Sequence, residues 1–385
     1  MTAPWRPCSV GDMMKDIDTP ALVVDLDSLE SNINKMSKIV EENYPNVKIR
    51  PHCKTHKCPN IAHMQMNSGA VGFCCQTITE TDALVNAGIN DIFISNQIIG
   101  LRKIRRVVGL AKIANISLCV DDADNVRDID TVAGDLGIKM DVVVEVHVGA
   151  YRCGVNPGEP VAELAQLITE LPNVNFKGLH CYQGRNQHQR KEGDRKKEVE
   201  NVVALVKQSL EALSKRGIPC EYITGGGTGS FKYEASSTTF TEIQPGSYVF
   251  MDVDYGKNLN TDGSFYNEFK NSLYVLSTVQ SKGTNPNRVV VDAGMKALSV
   301  DSGVPLLKDF PSITYNIGGD EHGVLTKMVD GEQMPKEIDE LKVGDIIRLI
   351  PGHCDPTVNM HDWIIGLRGD KVECIWPVAG RGPGV

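Results

Sequence analysis

No stretch of this sequence is apolar for long enough to make a membrane-spanning helix, so an integral helical membrane protein is excluded. The first twenty residues, "MTAPWRPCSVGDMMKDIDTP", hold no apolar core and are broken by proline. They are not expected to act as a secretory signal, and a cytoplasmic location follows as an expectation. An excess of positive charge is missing too. Forty Lys and Arg stand against 49 Asp and Glu, a net charge of −9, whereas a protein that grips phosphate backbones needs a basic surface. The basic runs at Arg102–Arg106 and Arg190–Lys197 fall in helix-like segments and are expected to be solvated faces. Eleven cysteines are present, yet none is spaced as C-x-x-C. Scattered and odd in number, they fit reduced, mostly buried thiols. Low-complexity tracts are absent, as is any repeat beyond a strand–helix unit.

What is there is an ordinary globular composition, 41% hydrophobic and 23% charged, over 385 residues. That is more than one core usually holds, so two domains are expected. Between residues 20 and 260, eight short β-branched runs alternate with amphipathic helical segments. They are "VKIRPH" (47–52), "GAVGFCCQ" (69–76), "DIFISNQ" (91–97), "ISLCVDD" (116–122), "DVVVEVHVG" (141–149), "NFKGLHCYQG" (175–184), "EYITGGG" (221–227) and "TEIQPGSYVF" (241–250). Eight apolar strands alternating with helices predict a parallel sheet, and eight is the number that closes a (β/α)8 barrel. A doubly wound open sheet is the other solution. After residue 265 the runs become short and turn-separated, as in an antiparallel β domain. The expected domains are a barrel over 19–264 and a β domain from 1–18 plus 265–385.

In a parallel barrel, chemistry gathers at the C-terminal strand ends. Here these ends read Lys54, Gln76, Asn96, Asp121, His147, Tyr182 with Gln183, then Gly225–Gly229 and Gly246–Tyr248, with Arg152 just past the fifth. Any one of them could be no more than the place where solvent begins. As a ring they converge on one mouth. "TGGGTGS" lacks a P-loop lysine, and its spacing is not G-x-G-x-x-G. Its backbone N–H groups still suit a phosphate, because the loops after strands seven and eight are the usual phosphate site of this barrel. A lysine at the end of strand one, facing such a site, points to pyridoxal phosphate held on Lys54 as a Schiff base. His52, His56 and Lys57 would add positive charge and lower the lysine's pKa. A plain loop lysine is the competing reading.

Near the C-terminus, "IPGHCDPTVNMHDW" puts His353 and Asp355 two apart. In an extended segment both point to one side and Cys354 to the other. On pattern alone, a turn in which both bond the backbone stands first. A site for Mn2+, Mg2+ or Zn2+ completed by water is the chemical reading.

Taken together, "TPALVVDLDSLESNI", "KIRPHCKTHK", "GAVGFCCQTITETDAL", "YRCGV", "GLHCYQG", "TGGGTGS", "QPGSYVFMDVDYG", "VDAGMKALSVDSG" and "PGHCDPTVNMHDW" resemble the D-threonine aldolase and D-serine dehydratase family. These are fold-type III pyridoxal-phosphate enzymes of the alanine racemase architecture. The resemblance runs from about residue 18 to about residue 382 and is nearest to the D-threonine and D-3-hydroxyaspartate aldolases. It implies a carbon–carbon lyase that cleaves β-hydroxy-D-amino acids to glycine and an aldehyde. A metal-dependent dehydratase, giving keto acid and ammonia, is the rival. Carried over by position, the resemblance assigns the cofactor to Lys54, Gln76, Arg152, Tyr182, Gly226, Gly227, Thr228, Gly246, Ser247 and Tyr248. It assigns a divalent metal, Mn2+ or Mg2+ before Zn2+, to His353 and Asp355. His188 falls to the base on the substrate hydroxyl, and Lys54 and Arg152 complete the catalytic set. In the dehydratases cysteine stands at the second ligand position; here Cys354 is out of register by one. The family also implies a homodimer acting on a small molecule.

Overall fold

The computed structural model describes residues 5–282, 288–327 and 336–384. Residues 1–4, 283–287, 328–335 and 385, which the expected β domain takes in, lie outside the described residues. Strand β1 (Ala21–Asp25) leads into helix α1 (Leu26–Asn43), whose N-cap Asp25 accepts the Ser28 N–H at 2.7 Å. Then come β2 (Lys48–Ile49), α2 (Pro59–Asn67), β3 (Phe73–Cys75), α3 (Ile78–Asn86), β4 (Asp91–Gln97), α4 (Leu101–Leu110), β5 (Asn115–Val120) and α5 (Ala123–Leu136). β6 (Met140–Glu145), α6 (Glu159–Glu170), β7 (Val174–Cys181), α7 (Glu192–Lys215), β8 (Tyr222–Gly225), α8 (Phe231–Ser236) and β9 (Glu242–Ile243) follow. Strands β2 to β9 form one parallel sheet in the order β2-β9-β8-β7-β6-β5-β4-β3. The two ends meet through a parallel bridge between His52 and Cys74 and through the Cys74 N–H on the Pro51 carbonyl at 2.8 Å. All eight expected strands are present, and the ring is closed. The open doubly wound sheet is thereby excluded.

The sequence explains the barrel locally. β4 buries Ile92–Ser95 and β6 buries Val142–Glu145 without alternation, because sheet and helices cover both faces. α4 buries Ile104, Val107 and Val108 at i, i+3, i+4 and turns Arg102, Lys103, Arg105 and Arg106 to water. α3 starts on its Thr77 cap and stops at Gly88, whose φ of +85° suits glycine. The second basic run is solvated except for Arg195, which is 2% exposed and donates to the carbonyls of Gln189, Arg190 and Leu259. Inside the barrel, Cys74, Phe93, Cys119 and Val143 from four adjacent strands form a small apolar layer. The thiols serve there as compact hydrophobes, and all eleven cysteines are free.

The remaining strands are β10 (Leu273–Ser281), β11 (Val289–Val291), β12 (Leu306–Leu307), β13 (Ile313–Ile317), β14 (Gly323–Lys327), β15 (Ile346–Ile350), β16 (Trp363–Arg368) and β17 (Lys371–Pro377). They join a second, mostly antiparallel sheet in the order β11-β14-β13-β12-β15-β10-β1-β16-β17, and a β10–β11 pairing curls part of it into a ring. β1 belongs to this sheet, antiparallel to β10 and parallel to β16. The expected limit at residue 19 placed it with the barrel. Its run Ala-Leu-Val-Val fits either sheet, and only the pairing decides. One hydrophobic cluster runs from α1 through Phe250 and Tyr255 to β10 and β15, so the two sheets share a core. No described helix is long and apolar enough to cross a membrane.

Candidate active site

At the C-terminal mouth of the barrel lies a small cleft of about 100 Å³. Of the residues singled out in the sequence, Lys54, Gln76, Arg152, Tyr182, Gly227, Thr228, Gly246 and Ser247 line it. Gly226 sits directly behind. Asn96, Asp121 and His147 are not part of the lining.

Lys54 rides on a short 3-10 turn, Cys53–Thr55, entered from β2. Its Nζ makes a direct ion pair with Oδ2 of Asp355. Burial opposes the charge on the amine, but Asp355 beside it prevails and the lysine pKa is raised. This overturns the expected crowding by cations. Burial pushes His52 down to about 3 and His56 down to about 4, so both are neutral near pH 7. Lys57 turns away to Glu80, at 3.4 Å, and to Asn359.

The turn that carries Lys54 meets the loop after β9. A Cβ on Gly246 would stand 2.6 Å from the Thr55 hydroxyl oxygen, so only glycine fits there. The loop after β8 joins them, because the Thr228 hydroxyl accepts the Tyr248 N–H at 3.0 Å. Tyr248 is thus used through its backbone. Its ring is buried, and its hydroxyl accepts from Gln65 at 2.7 Å, away from the cleft. Among the described residues, the N–H groups of Gly227 and Thr228 make no bond to another backbone carbonyl.

Tyr182 extends past the end of β7 and stacks nearly parallel to His180, at 3° and 6.4 Å between ring centres. The Arg152 guanidinium lies 5.8 Å from the centre of the Tyr182 ring and 3.9 Å from Glu145. His180 was not singled out in the sequence. It is 1% exposed, held by Gln244 at 3.2 Å, and burial lowers its pKa, so it is neutral. The signal was available, since His180 and Tyr182 are two apart on one strand face. Gln76 faces His52 at 3.2 Å, and Ser95 reaches the same ring at 3.3 Å.

His353 and Asp355 do come together, but not on an extended segment. His353 is extended and sits at the N-cap of a short helix, Cys354–Val358, which follows β15. Pro356 fits in the first turn because its missing N–H has no partner to lose there. His353 Nε2 stands 3.9 Å from Asp355 Oδ2, and its Nδ1 faces Asp301 Oδ2 at 2.8 Å. Among the described residues, Asp355 Oδ1 is buried without a hydrogen-bond partner. A nitrogen and a carboxylate converging, with a second carboxylate behind the imidazole, could serve as donors to a divalent cation. Cys354 points elsewhere, its thiol against the Met251 carbonyl at 3.3 Å. Asp301 lies 52 residues from its histidine, beyond the reach of any spacing rule.

His188 is half exposed and stands outside the cleft lining, against Tyr255, which belongs to it. Its Nδ1 is 2.5 Å from Asp254 Oδ2. Burial opposes that carboxylate, but His188 and Arg190 together hold its pKa down to about 2. The imidazole is therefore fixed at Nδ1 and open at Nε2.

Comparison with known proteins identifies the family. Residues 24–254 match the family model described as alanine racemase, N-terminal domain, and residues 272–367 match a putative serine dehydratase domain. The chain is 42% identical to a D-threonine aldolase of Arthrobacter sp. and 41% identical to a 3-hydroxy-D-aspartate aldolase of Paracoccus denitrificans (strain Pd 1222). Each match covers 98% of this chain and 96% of the relative. The crystal structure of D-threonine aldolase from Filomicrobium marinum superposes with a TM-score of 0.92 at 39% identity, covering 98% of this chain and 99% of that one. Three relatives named as dehydratases are more distant, at 21%, 24% and 26% identity. This chain belongs to the alanine-racemase-like family of the D-threonine and 3-hydroxy-D-aspartate aldolases.

Proposed function

We propose that the protein is a lyase that cleaves β-hydroxy-D-amino acids, D-threonine and 3-hydroxy-D-aspartate among them, to glycine and an aldehyde. It would do so with pyridoxal phosphate and a divalent cation, Mn2+ or Mg2+ before Zn2+, and as a homodimer. The observation that carries this is the shared carboxylate: Asp355 contacts the Lys54 amine and lies 3.9 Å from His353. An amine suited to an aldehyde cofactor and a donor pair suited to a metal are thereby within one side chain of each other.

The residues present fit both groups. Lys54 Nζ would hold the cofactor's aldehyde carbon. The loops at Gly227–Thr228 and Gly246–Ser247 would hold its phosphate, and Tyr182 and Arg152 would flank its ring. Bound there, pyridoxal phosphate supplies an electron sink conjugated to the substrate α-carbon. A cation on His353 Nε2 and Asp355 supplies a Lewis acid for the β-hydroxyl. His188 Nε2 would take the hydroxyl proton, with Asp254 fixing the ring and stabilising the imidazolium formed. Arg152, 52% exposed at the mouth, would orient substrate and cofactor. His180 and His52, whose pKa values burial lowers, would add no cation to the cleft. Carbon–carbon cleavage needs a base on the hydroxyl, whereas dehydration expels that oxygen. A carboxylate at 355, with the Cys354 thiol turned to Met251, favours the first.

Chelator treatment tests the division of labour. It is expected to stop cleavage while the protein keeps its cofactor absorbance. Full activity in metal-free buffer after exhaustive chelation sinks the metal half of the reading.

A further inference from the structure

One buried carboxyl near the cleft has no part in the chemistry above. Glu234, on α8, is 3% exposed. Its Oε1 accepts from Ser230 Oγ at 2.7 Å, and among the described residues its Oε2 is buried with no hydrogen-bond partner. The carboxyl presses on the back of the glycine loop. A Cβ on Gly226 would lie 3.0 Å from the Glu234 carboxyl carbon, and Gly226 itself has φ +71°. A relay ties the same carboxyl to the rest of the loop. Ser230 Oγ accepts from Gln187 Nε2 at 2.7 Å, and Gln187 Oε1 accepts the Gly229 N–H at 2.9 Å.

Charged neighbours do not compensate it. From β7 it faces Tyr182, and on its own helix Tyr233, both of which feel its charge. On α7, Glu192 and Arg195 engage Tyr233. On β9, Glu242 is occupied by Arg50, Tyr222 and Thr224. A buried carboxylate without a cation is costly, and a neutral carboxyl is not. Burial pushes Glu234 up to about 7, although Ser230 pulls the other way.

We infer that Glu234, as a neutral acid, is the positioning residue of the Gly226–Ser230 loop, and that the loop takes up a proton on Glu234 when it receives a phosphate. The inference rests on the reading of that loop as the phosphate site. Neutral, the carboxyl braces Gly226 and Ser230 from behind. Ionised, it sets a buried negative charge one residue's thickness from an incoming dianion.

The test compares pyridoxal phosphate with pyridoxal, which carries the same aldehyde and no phosphate. Dissociation constants are measured on cofactor-stripped protein from pH 7 to 9, for wild type and Glu234→Gln. Their ratio cancels the chemistry at Lys54. In wild type the preference for the phosphorylated form is expected to fall by up to about tenfold per pH unit above 7. In Glu234→Gln it is expected to stay flat. Calorimetry of the wild type in buffers of different ionisation enthalpy needs no variant. It should show uptake of most of one proton at pH 7.5 with pyridoxal phosphate, beyond that seen with pyridoxal. Equal slopes in wild type and variant, or no excess proton uptake, overturn the role of Glu234. Equal affinity for the two ligands in wild type overturns the phosphate-loop reading itself.

Discussion

One oxygen, Oδ2 of Asp355, contacts Lys54 Nζ and lies 3.9 Å from His353 Nε2. Removing it affects both partners. Asp355→Ala is expected to lower cleavage by at least about 100-fold, the scale of losing a metal-positioned group, as measured on D-threonine at saturating metal. Asp301 acts one step further out, through Nδ1 of His353. Asp301→Asn should weaken metal affinity by about 10–100-fold, read as a shift in the metal titration of activity, with near-normal turnover once metal saturates. An unchanged metal titration would show that Asp301 is merely a neighbour. Two carboxyls also give opposite pH signatures. Glu234 has a folded pKa raised from 4.5 to about 7, so the folded state holds a proton that the unfolded chain releases. Its stabilisation is present below about pH 4.5 and is lost as pH rises through 7. Glu234→Gln should therefore raise the melting temperature above pH 7 and leave it unchanged near pH 4. Asp254 has its pKa lowered to about 2, so its stabilisation is present above about pH 4 and lost as pH falls through 2.

Among the elements, the eight barrel strands could be read directly because strands covered on both faces are continuous apolar runs. Their lengths could not. "TEIQPGSYVF" yields only Glu242–Ile243 as strand, since Pro245 and Gly246 turn the chain into the cleft. β1 shows the same limit from the other side, because an apolar run does not encode its pairing partner. His353–Asp355 was legible as a pair and not as a helix cap. Asp301 and Asp254 reach the site by long-range packing, which leaves no trace in local spacing. Arg50, just past β2, shows how these strand ends are held. It is 5% exposed and pairs with Glu242 at 2.9 Å and Asp91 at 2.6 Å, while Tyr222 and Thr224 bond the same Glu242. Removing one partner of a buried pair strands the other charge. Arg50→Ala should cost about 3–5 kcal/mol, measured by chemical denaturation. A loss below about 1 kcal/mol would mean that the network is solvated and slack.

At the scale of the whole molecule, the proposed site needs both sheets. Lys54 comes from the barrel, and His353 with Asp355 from the second domain, 299 or more residues later in the chain. The shared cluster from α1 to β15 fixes one against the other, so Lys54 and the His353–Asp355 pair are held together by the core and not by either domain alone. The central claim is the bond that breaks. With D-threonine and added Mn2+, the protein is expected to yield glycine and acetaldehyde in equal amounts, and neither after chelation. 2-Oxobutanoate and ammonia in their place would contradict the aldolase assignment and make the protein a dehydratase.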